Sequence, residues 1–164
     1  MRWKVCSFEQ ITNIELYQLL KLRVDIFIVE QNAPYSDLDG KDHAEGVLHV
    51  LGIEGDEVVA YARLLPEGVG YPVEVLPFLD GSEKETAIGR VVVKASHRGT
   101  GVGHELMRVS LNAMKEHGFS TPVFISAQSY LTDYYQQHGF SVFTPAYSED
   151  GCDMRGMRSE SLVV

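Results

Sequence analysis

The chain has 164 residues, 45% of them hydrophobic and 23% charged, and its 14 lysines and arginines against 23 aspartates and glutamates give a formal net charge of −9. This composition excludes a disordered, collagen-like or coiled-coil protein, and the length is enough for residues 1–164 to form one domain with its own core. The acidic balance also argues against nucleic acid as a partner, because binding a phosphate backbone requires a basic surface.

The start of the chain predicts a short strand followed by a helix. Residues 3–6 are typical of a strand, and Thr12 followed by Glu15 has the spacing of a capping box, in which two side chains satisfy N–H groups at a helix start. Apolar residues then recur at helical spacing and predict one buried face. That face consists of Tyr17, Leu20, Val24, Phe27 and Ile28.

A loop and a hairpin are predicted next. Residues 30–45 are polar and contain turn signals. Residues 47–53 and 58–65 are two β-rich runs separated by a four-residue turn, so they should pair as antiparallel strands. Residues 66–86 are rich in proline and glycine and predict no regular element.

The second half of the chain alternates strands and helices. The predicted elements are a strand at 88–93, a helix from 102 to a stop near His117, a strand at 123–127, a short helix at 130–138, and strands at 140–144 and 154–158. Together with the first half, they predict an α/β or α+β fold in which helices cover a mixed sheet.

A glycine-rich turn lies between the strand at 88–93 and the helix that follows it. Residues 98–103 read Arg-Gly-Thr-Gly-Val-Gly, so the backbone can approach a phosphate closely and the first N–H groups of the helix point at it. Residues 90–108 contain one carboxylate, Glu105, and four basic residues, Arg90, Lys94, Arg98 and Arg108. This predicts an anion site. Alternatively, the glycines only form a tight turn and the arginines are solvated.

The two common phosphate motifs do not fit this turn. A Walker A motif needs Gly-Lys-Ser or Gly-Lys-Thr, which the chain lacks. A dinucleotide fingerprint fails because, after Gly99 and Gly101, the third glycine comes one residue early at Gly103. The pattern present is Arg-x-x-Gly-x-Gly after a Val-x-Val strand, and it resembles the acetyl-CoA signature of the GNAT superfamily of N-acetyltransferases.

Further segments extend this resemblance. Residues 128–140 are similar to the family's final segment, with Tyr135 four residues before Gly139 and Phe140. Residues 22–23, 27–31, 34–35, 37–40 and 59–63 resemble the ElaA-like branch of the superfamily. The chain departs from that branch at Met154, where the ElaA pattern has a histidine, so a role of that histidine cannot be transferred.

The resemblance implies a single acyl-CoA N-acyltransferase domain, with a mixed, largely antiparallel sheet of six to seven strands flanked by about four helices. It implies acetyl-CoA as co-substrate and a small-molecule or peptide amine as acceptor, and it leaves a homodimer open. The backbone of the strand would bond the pantetheine arm, and the turn would hold the pyrophosphate. The implied cofactor-binding residues are Val91, Val92, Val93, Arg98, Gly99, Thr100, Gly101, Val102, Gly103 and Gln128. Gln128 is alternatively an exposed residue at a helix start.

Transfer of an acetyl group to an amine needs an acid and a base. A thiolate leaves, with a pKa of about 8.5 if coenzyme A resembles cysteine, and a tyrosine with a pKa of about 10 can protonate it. The spacing to Gly139 assigns this role to Tyr135, which is alternatively a core aromatic residue. The base that deprotonates the amine is not named by the sequence. Its candidates are Glu30, Asp37, Asp39, His49 and Glu74.

An acidic segment follows the first helix. Residues 30–57 contain eight carboxylates against Lys41 alone, the reverse of the balance around the glycine-rich turn. In the resemblance this segment helps to wall the acceptor side, so it would attract a cationic amine. The substrate-site candidates are Glu30, Asp37, Asp39 and His49. Alternatively, the segment is a solvated loop that keeps the protein soluble.

The sequence contains no motif for several other classes of function. Cys6 and Cys152 provide no disulfide framework or zinc pair, and the six histidines lack metal-ligand spacing, so no metal is expected. No apolar run approaches the roughly 18 residues of a membrane span, and the first residues lack the apolar stretch of a signal peptide, which predicts a cytoplasmic location without membrane contact. The alternative to an enzyme is a non-catalytic acyl-CoA-binding or sensing module, because its phosphate turn would be the same.

Overall fold

The computed structural model describes residues 1–79 and 84–162, and these form eight β-strands and three α-helices. In chain order the elements are β1 (Arg2–Cys6), α1 (Asn13–Arg23), β2 (Leu48–Glu54), β3 (Glu57–Leu65), β4 (Thr86–Val93), α2 (Val102–Glu116), β5 (Val123–Gln128), α3 (Thr132–Gln136), β6 (Ser141–Val142), β7 (Tyr147–Glu149) and β8 (Cys152–Ser159). The predicted α/β fold with a mixed, largely antiparallel sheet is confirmed. The described residues contain one strand more and one α-helix fewer than predicted.

The chain forms two compact units. Unit 1 comprises Met1–Leu64 and Arg90–Ser110, and unit 2 comprises Leu65–Gly89 and Leu111–Val164. Strand β4 and helix α2 each begin in one unit and end in the other. That residues 1–164 are one domain stays a prediction.

Unit 1 is built on an antiparallel meander. Strand β1 pairs with β2, and β2 pairs with β3 as the predicted hairpin, with His49 opposite Arg63 and Leu51 opposite Tyr61. The second half of β4 follows β3 in the strand order. Helix α1 and the sheet enclose an apolar core that consists of Cys6, Leu19, Leu22, Ile26, Leu51, Ile53, Val58, Tyr61 and Val92.

Helix α1 begins at the predicted capping box, but the predicted buried face is only partly correct. Leu20 and Phe27 of that face are partly buried and pack against the core. The backbone N–H of Glu15 donates to Thr12 Oγ1 at 3.2 Å, and the N–H of Thr12 donates to Glu15 Oε2 at 2.9 Å. Tyr17 and Val24 are exposed. The buried residues are instead Leu19, Leu22, Arg23 and Ile26.

Two physical causes explain this error. Apolar residues occupy so many positions between 14 and 29 that helical spacing fits more than one face. In addition, α1 continues into a π-helical segment, Val24–Glu30, whose wider turns change which residues face the core. The sequence pattern therefore located the helix and two of its core contacts, Leu20 and Phe27, but not its fully buried residues.

Unit 2 continues from the first half of β4. Strand β4 pairs in parallel with β5 at Thr86 and Ala87, four residues before Val91. Strand β5 pairs antiparallel with β8 along its whole length, and β8 also pairs with β6 and β7. The segment 66–86 contains a 3₁₀ turn, Leu76–Phe78, and the start of β4, while its residues 80–83 lie outside the described part of the chain.

Strand β7 is the element that the sequence analysis missed. It has only three residues and joins β8 through a two-residue turn, Asp150 and Gly151, whose φ angles are +51° and +80°. Two successive positive φ angles define a type I′ turn, for which Asp-Gly is a preferred dipeptide. The dipeptide was therefore the signal that could have revealed this hairpin.

Candidate active site

The predicted glycine-rich turn is present in unit 1. The N–H of Lys94 donates to the carbonyl of Val59 at 2.8 Å, which fixes the end of β4. Gly99 and Gly101 have φ angles of +72° and +88°, in the left-handed region that favours glycine, and a Cβ at either position would meet open space. Helix α2, 15 residues long, begins at Val102. The turn thus places backbone with open space beside it at a helix N-terminus.

A carboxylate holds Arg98 at the start of this turn. Glu30 lies 68 residues earlier, yet its Oε1 and Oε2 accept from Arg98 Nη1 at 2.8 Å and Nη2 at 3.2 Å. Arg98 Nε donates to the carbonyl of Val93 at 3.2 Å. The structure therefore places Glu30 beside the turn predicted to bind phosphate, and both side chains are about half exposed.

The other basic residues near the turn also have acidic partners. Lys94 Nζ lies 2.6 Å from Glu57 Oε1, and His97 Nε2 lies 2.7 Å from Glu54 Oε2. These carboxylates come from the β2–β3 hairpin, so the charge imbalance along the sequence is compensated in space. Exposed pairs of this kind contribute little to stability, so a diphosphate could replace a carboxylate here at small cost.

Three arginines and three aspartates form an ion-pair network in unit 1, which we call the Arg–Asp cluster. It consists of Arg23, Arg63, Arg90, Asp37, Asp39 and Asp42. Asp37 lies 2.8 Å from both Arg23 Nε and Arg90 Nε, and Asp42 Oδ1 lies 2.8 Å from both Arg23 Nη1 and Arg63 Nη1. The side chains of Arg23 and Asp37 are only 0% and 2% exposed. The cluster ties the loop after α1 to strands β3 and β4.

The formal charges of the cluster balance, because three arginines face three aspartates. Burial alone would raise the pKa of Asp39, but hydrogen bonds from Arg63 outweigh it and hold the pKa well below its usual range. Burial would lower the pKa of Arg23, but the hydrogen bond to Asp42 and nearby negative charges raise it. Asp37 and Asp39 therefore hold the loop after α1 in place through ion pairs with arginines.

Acid should weaken unit 1 through this cluster. Carboxylates whose pKa is depressed on folding stabilise the fold above their ordinary pKa of about 4, and this stabilisation is lost as pH falls further. Asp39 and Asp42 both have lowered pKa values. We expect the urea midpoint to fall progressively below about pH 4, and Asp39→Asn to flatten that fall. A midpoint that is the same at pH 6 and pH 3 would contradict this.

Arg90 adopts a backbone conformation that is rare for its residue type. Its φ is +51°, inside strand β4 and immediately before Val91. Such a conformation is strained for a residue with a Cβ and persists only where other contacts enforce it. Arg90 has those contacts, an ion pair with Asp37 and a 3.0 Å hydrogen bond from Nη2 to the carbonyl of Asp37. The cluster therefore supports the backbone next to the predicted cofactor strand.

His49 is fully buried and both ring nitrogens have partners. Nδ1 lies 2.7 Å from Tyr61 Oη, and Nε2 lies 2.9 Å from the carbonyl oxygen of Asp42. Burial lowers the pKa of His49, which favours the neutral imidazole. The ring therefore serves as a hydrogen-bonded core residue beside the Arg–Asp cluster.

A cavity that the sequence analysis did not anticipate opens next to His49. Its volume is about 240 Å³. Phe8, Leu16, Leu19, Leu20, Leu38, Gly40, Asp42, His43 and His49 line it. The wall is mostly apolar, and its carboxylate, on Asp42, already accepts hydrogen bonds from two arginines.

In unit 2, Tyr135 lies on α3 and is only 5% exposed. Its ring packs edge-on against Tyr134, with centroids 5.0 Å apart, and against Phe140 at 6.3 Å. Burial raises the pKa of Tyr135, so the hydroxyl keeps its proton near neutral pH. Gln128 ends β5, where its Oε1 accepts from Tyr130 Oη at 2.5 Å.

Unit 2 also contains a chain of hydrogen bonds that the sequence analysis missed. Ser126 Oγ donates to Glu149 Oε2 at 2.6 Å and shares a second 2.6 Å bond with Tyr147 Oη. Burial raises the pKa of Tyr147 to about 12. Because the single hydroxyl hydrogen of Ser126 goes to the carboxylate, the hydroxyl of Tyr147 is the donor in its bond to Ser126. The polar alternation of β5 and the Asp-Gly turn after β7 were the sequence signals for this arrangement.

The strand register places these groups on one face of the sheet. Gln128 and Tyr147 both lie opposite Met154, one from each side of β8. Ser126 is two residues before Gln128, and Glu149 is two residues after Tyr147, so alternation keeps them on the same face. Met154, which stands where the ElaA pattern has a histidine, is therefore central to this face.

Within residues 1–79 and 84–162, no group of three or more His, Cys, Asp or Glu side chains is arranged to hold a metal ion. In the same two ranges, no helix combines the length and apolar character that crossing a membrane requires.

Comparisons with known proteins agree with the resemblance found in the sequence. A family model described as an acetyltransferase (GNAT) domain matches residues 41–161. Protein ElaA of Escherichia coli strain K12 is 38% identical over 160 residues, which cover 98% of this chain and 97% of ElaA. The crystal structure of E. coli ElaA matches with a TM-score of 0.82 at 38% identity, covering 97% of this chain and 99% of that one. An acyl-CoA N-acyltransferase from Pseudomonas aeruginosa matches over the same shares with a TM-score of 0.83 at 35% identity. The chain therefore belongs to the GNAT family of acyltransferases, as a homologue of ElaA.

Proposed function

We propose that the protein is an acetyl-CoA-dependent N-acetyltransferase that acetylates a primary amine by direct attack in a ternary complex. The observation that carries this proposal is the turn at Gly99 and Gly101, which presents uncovered backbone at the N-terminus of α2 directly after β4. That arrangement suits a diphosphate, because helix N–H groups and the helix dipole both favour an anion.

The residues present fit coenzyme A. The backbone of Val91 and Val93 would bond the amide-rich pantetheine arm in the manner of an added strand. Residues 98–103 would hold the diphosphate, with Arg98 turning from Glu30 to the anion. Gln128 would add an amide contact. When bound, acetyl-CoA supplies the acetyl group as a thioester.

Tyr135 is the proposed general acid. A buried tyrosine with a raised pKa holds its proton until a stronger base forms beside it, and a desolvated thiolate is such a base. Asp37 and Asp39 are assigned to positioning the loop after α1 and Arg90, because their charges are matched by arginines. His49 supports the same loop through the carbonyl of Asp42.

The direct test is acetyl transfer. The protein is incubated with acetyl-CoA and one of several primary amines, namely putrescine, Nα-acetyl-lysine and a short peptide with a free N-terminus, and released thiol is measured. We expect thiol release above the hydrolysis background with at least one amine, together with the acetylated product by mass spectrometry. If the protein binds acetyl-CoA tightly but transfers acetyl to no amine of a larger panel, the result would instead support a sensing module.

The phosphate turn can be tested separately by calorimetry. Gly101→Glu should weaken acetyl-CoA binding by about 100-fold or more, because a side chain enters the diphosphate site and its carboxylate repels the anion. The matched control is Gly118→Glu, which introduces the same residue at a similar φ of +72°, also in open space, just beyond the other end of α2. Equal affinity of the two folded variants would remove the phosphate role of the turn.

A further inference from the structure

We infer that Glu149 is the general base for the acceptor amine and that it receives the proton through the hydroxyl of Ser126. The inference rests on the proposed N-acetyltransferase function and deepens it, since it names the group that the sequence left open. It also names the substrate class, a primary amine that arrives as an ammonium ion and is deprotonated at this face of unit 2.

The geometry of unit 2 supports a proton relay. The two hydrogen bonds of Ser126 are both 2.6 Å, short enough for proton transfer along the chain of oxygens. Ser126 and Glu149 are both only partly buried on this face of the sheet. Gln128, the proposed cofactor contact, points to the same face two residues further along β5.

The other candidates for the base are engaged differently. Glu30, Asp37 and Asp39 each form an ion pair with at least one arginine, so these carboxylates hold arginines in place. His49 is enclosed in the core of unit 1 with both nitrogens bonded. The bond from Ser126 to Glu149 links a carboxylate to a hydroxyl that can both accept and give a proton.

The proton balance is complete without a further reactant. The ammonium nitrogen gives one proton to Ser126 Oγ while the hydroxyl hydrogen of Ser126 moves to Glu149 Oε2. The neutral nitrogen then forms the C–N bond to the acetyl carbon as the C–S bond breaks. Tyr135 gives its proton to the coenzyme A sulfur and regains one from the second proton that the nitrogen loses. The first proton leaves Glu149 for solvent.

The surrounding groups have supporting parts. Tyr147 donates to Ser126 and so orients the Ser126 lone pairs and hydrogen toward Glu149. The negative charge of Glu74 acts on Tyr147 from the segment before β4. Cys152 lies opposite Glu149 in the β7–β8 register.

The test is the pH profile of kcat/KM for the best amine of the panel, measured between pH 6 and 9. For Glu149→Gln we expect a loss of roughly 10²-fold or more at pH 7. The loss should shrink about tenfold per pH unit. The variant can use only amine that is already neutral in solution, and below the pKa of the amine this fraction rises tenfold per pH unit. Ser126→Ala should show the same trend, and the double variant should be no slower than the slower single one, because the two residues act as one unit.

Controls separate this role from a structural one. Asp153→Asn removes a negative charge from the same β7–β8 hairpin, but Asp153 pairs with Ser148 and so lies on the opposite face of the sheet from the relay, and its profile should match the wild type. Acetyl-CoA affinity should be unchanged in Glu149→Gln. A wild-type profile in Glu149→Gln, or a loss that is equal at every pH, would overturn the inference while the proposed function stands. Absence of transfer by the wild-type protein to every amine would overturn both.

Discussion

Tyr135→Phe is expected to lower turnover by roughly 10²- to 10⁴-fold while acetyl-CoA affinity stays the same. The substitution deletes one hydroxyl and keeps the ring, so the packing of α3 against Phe140 is preserved. What is lost is the proton for the departing thiolate, and general acids contribute a factor of this size. Steady-state kinetics and calorimetric titration with acetyl-CoA measure the two quantities separately.

The neighbouring tyrosine provides a matched control. Tyr134 lies on the same short helix, and burial raises its pKa to about 12, so Tyr134→Phe makes the same chemical change one residue away. Its turnover should remain close to that of the wild type. If both variants are equally active, Tyr135 is a packing residue. If both are equally impaired, the helix rather than the hydroxyl is responsible.

Asp37→Asn should destabilise the protein by about 3–5 kcal/mol, because it leaves two arginines without their shared counterion. Breaking a buried ion pair on one side has a cost of this size, since the remaining charge stays desolvated. Arg23 is completely buried and Arg90 is largely so. Urea unfolding monitored by circular dichroism gives the free energy of unfolding directly.

Asp25→Asn is the control for this stability prediction. Asp25 pairs with Lys21 on the surface of the same helical region, with both side chains about half exposed or more. Removing that pair should change stability by less than about 0.5 kcal/mol. Similar losses in the two aspartate variants would show that the Arg–Asp cluster has no special role in stability.

Features encoded by neighbouring residues could be predicted from the sequence. The capping box at Thr12 and the left-handed turns at Gly99 and Gly101 depend on a few adjacent residues, and the structure contains them where they were expected. The family resemblance also rests on such short motifs. Its confirmation fixed the overall fold and the class of reaction.

Features that depend on pairing between distant segments could not be predicted. The burial of Arg23 requires Asp37 and Asp42, whose positions depend on how the following loop folds back. The link between Ser126 and Glu149 requires β7, which is too short for a periodic signal and which the Asp-Gly turn marks only as a hairpin, without its register. In both cases the sequence contains the residue types, but only the strand register and the loop path bring them together.

The bond between Glu30 and Arg98 has a consequence for the thermodynamics of binding. A long arginine side chain loses rotamer freedom when it grips an anion, which costs about 1.5–2 kcal/mol for a freely moving side chain. Here the guanidinium is already oriented at the mouth of the turn by Glu30 and by the carbonyl of Val93. Much of that ordering is therefore complete before any ligand arrives, and the carboxylate acts as a placeholder that keeps the arginine preorganised for a phosphate.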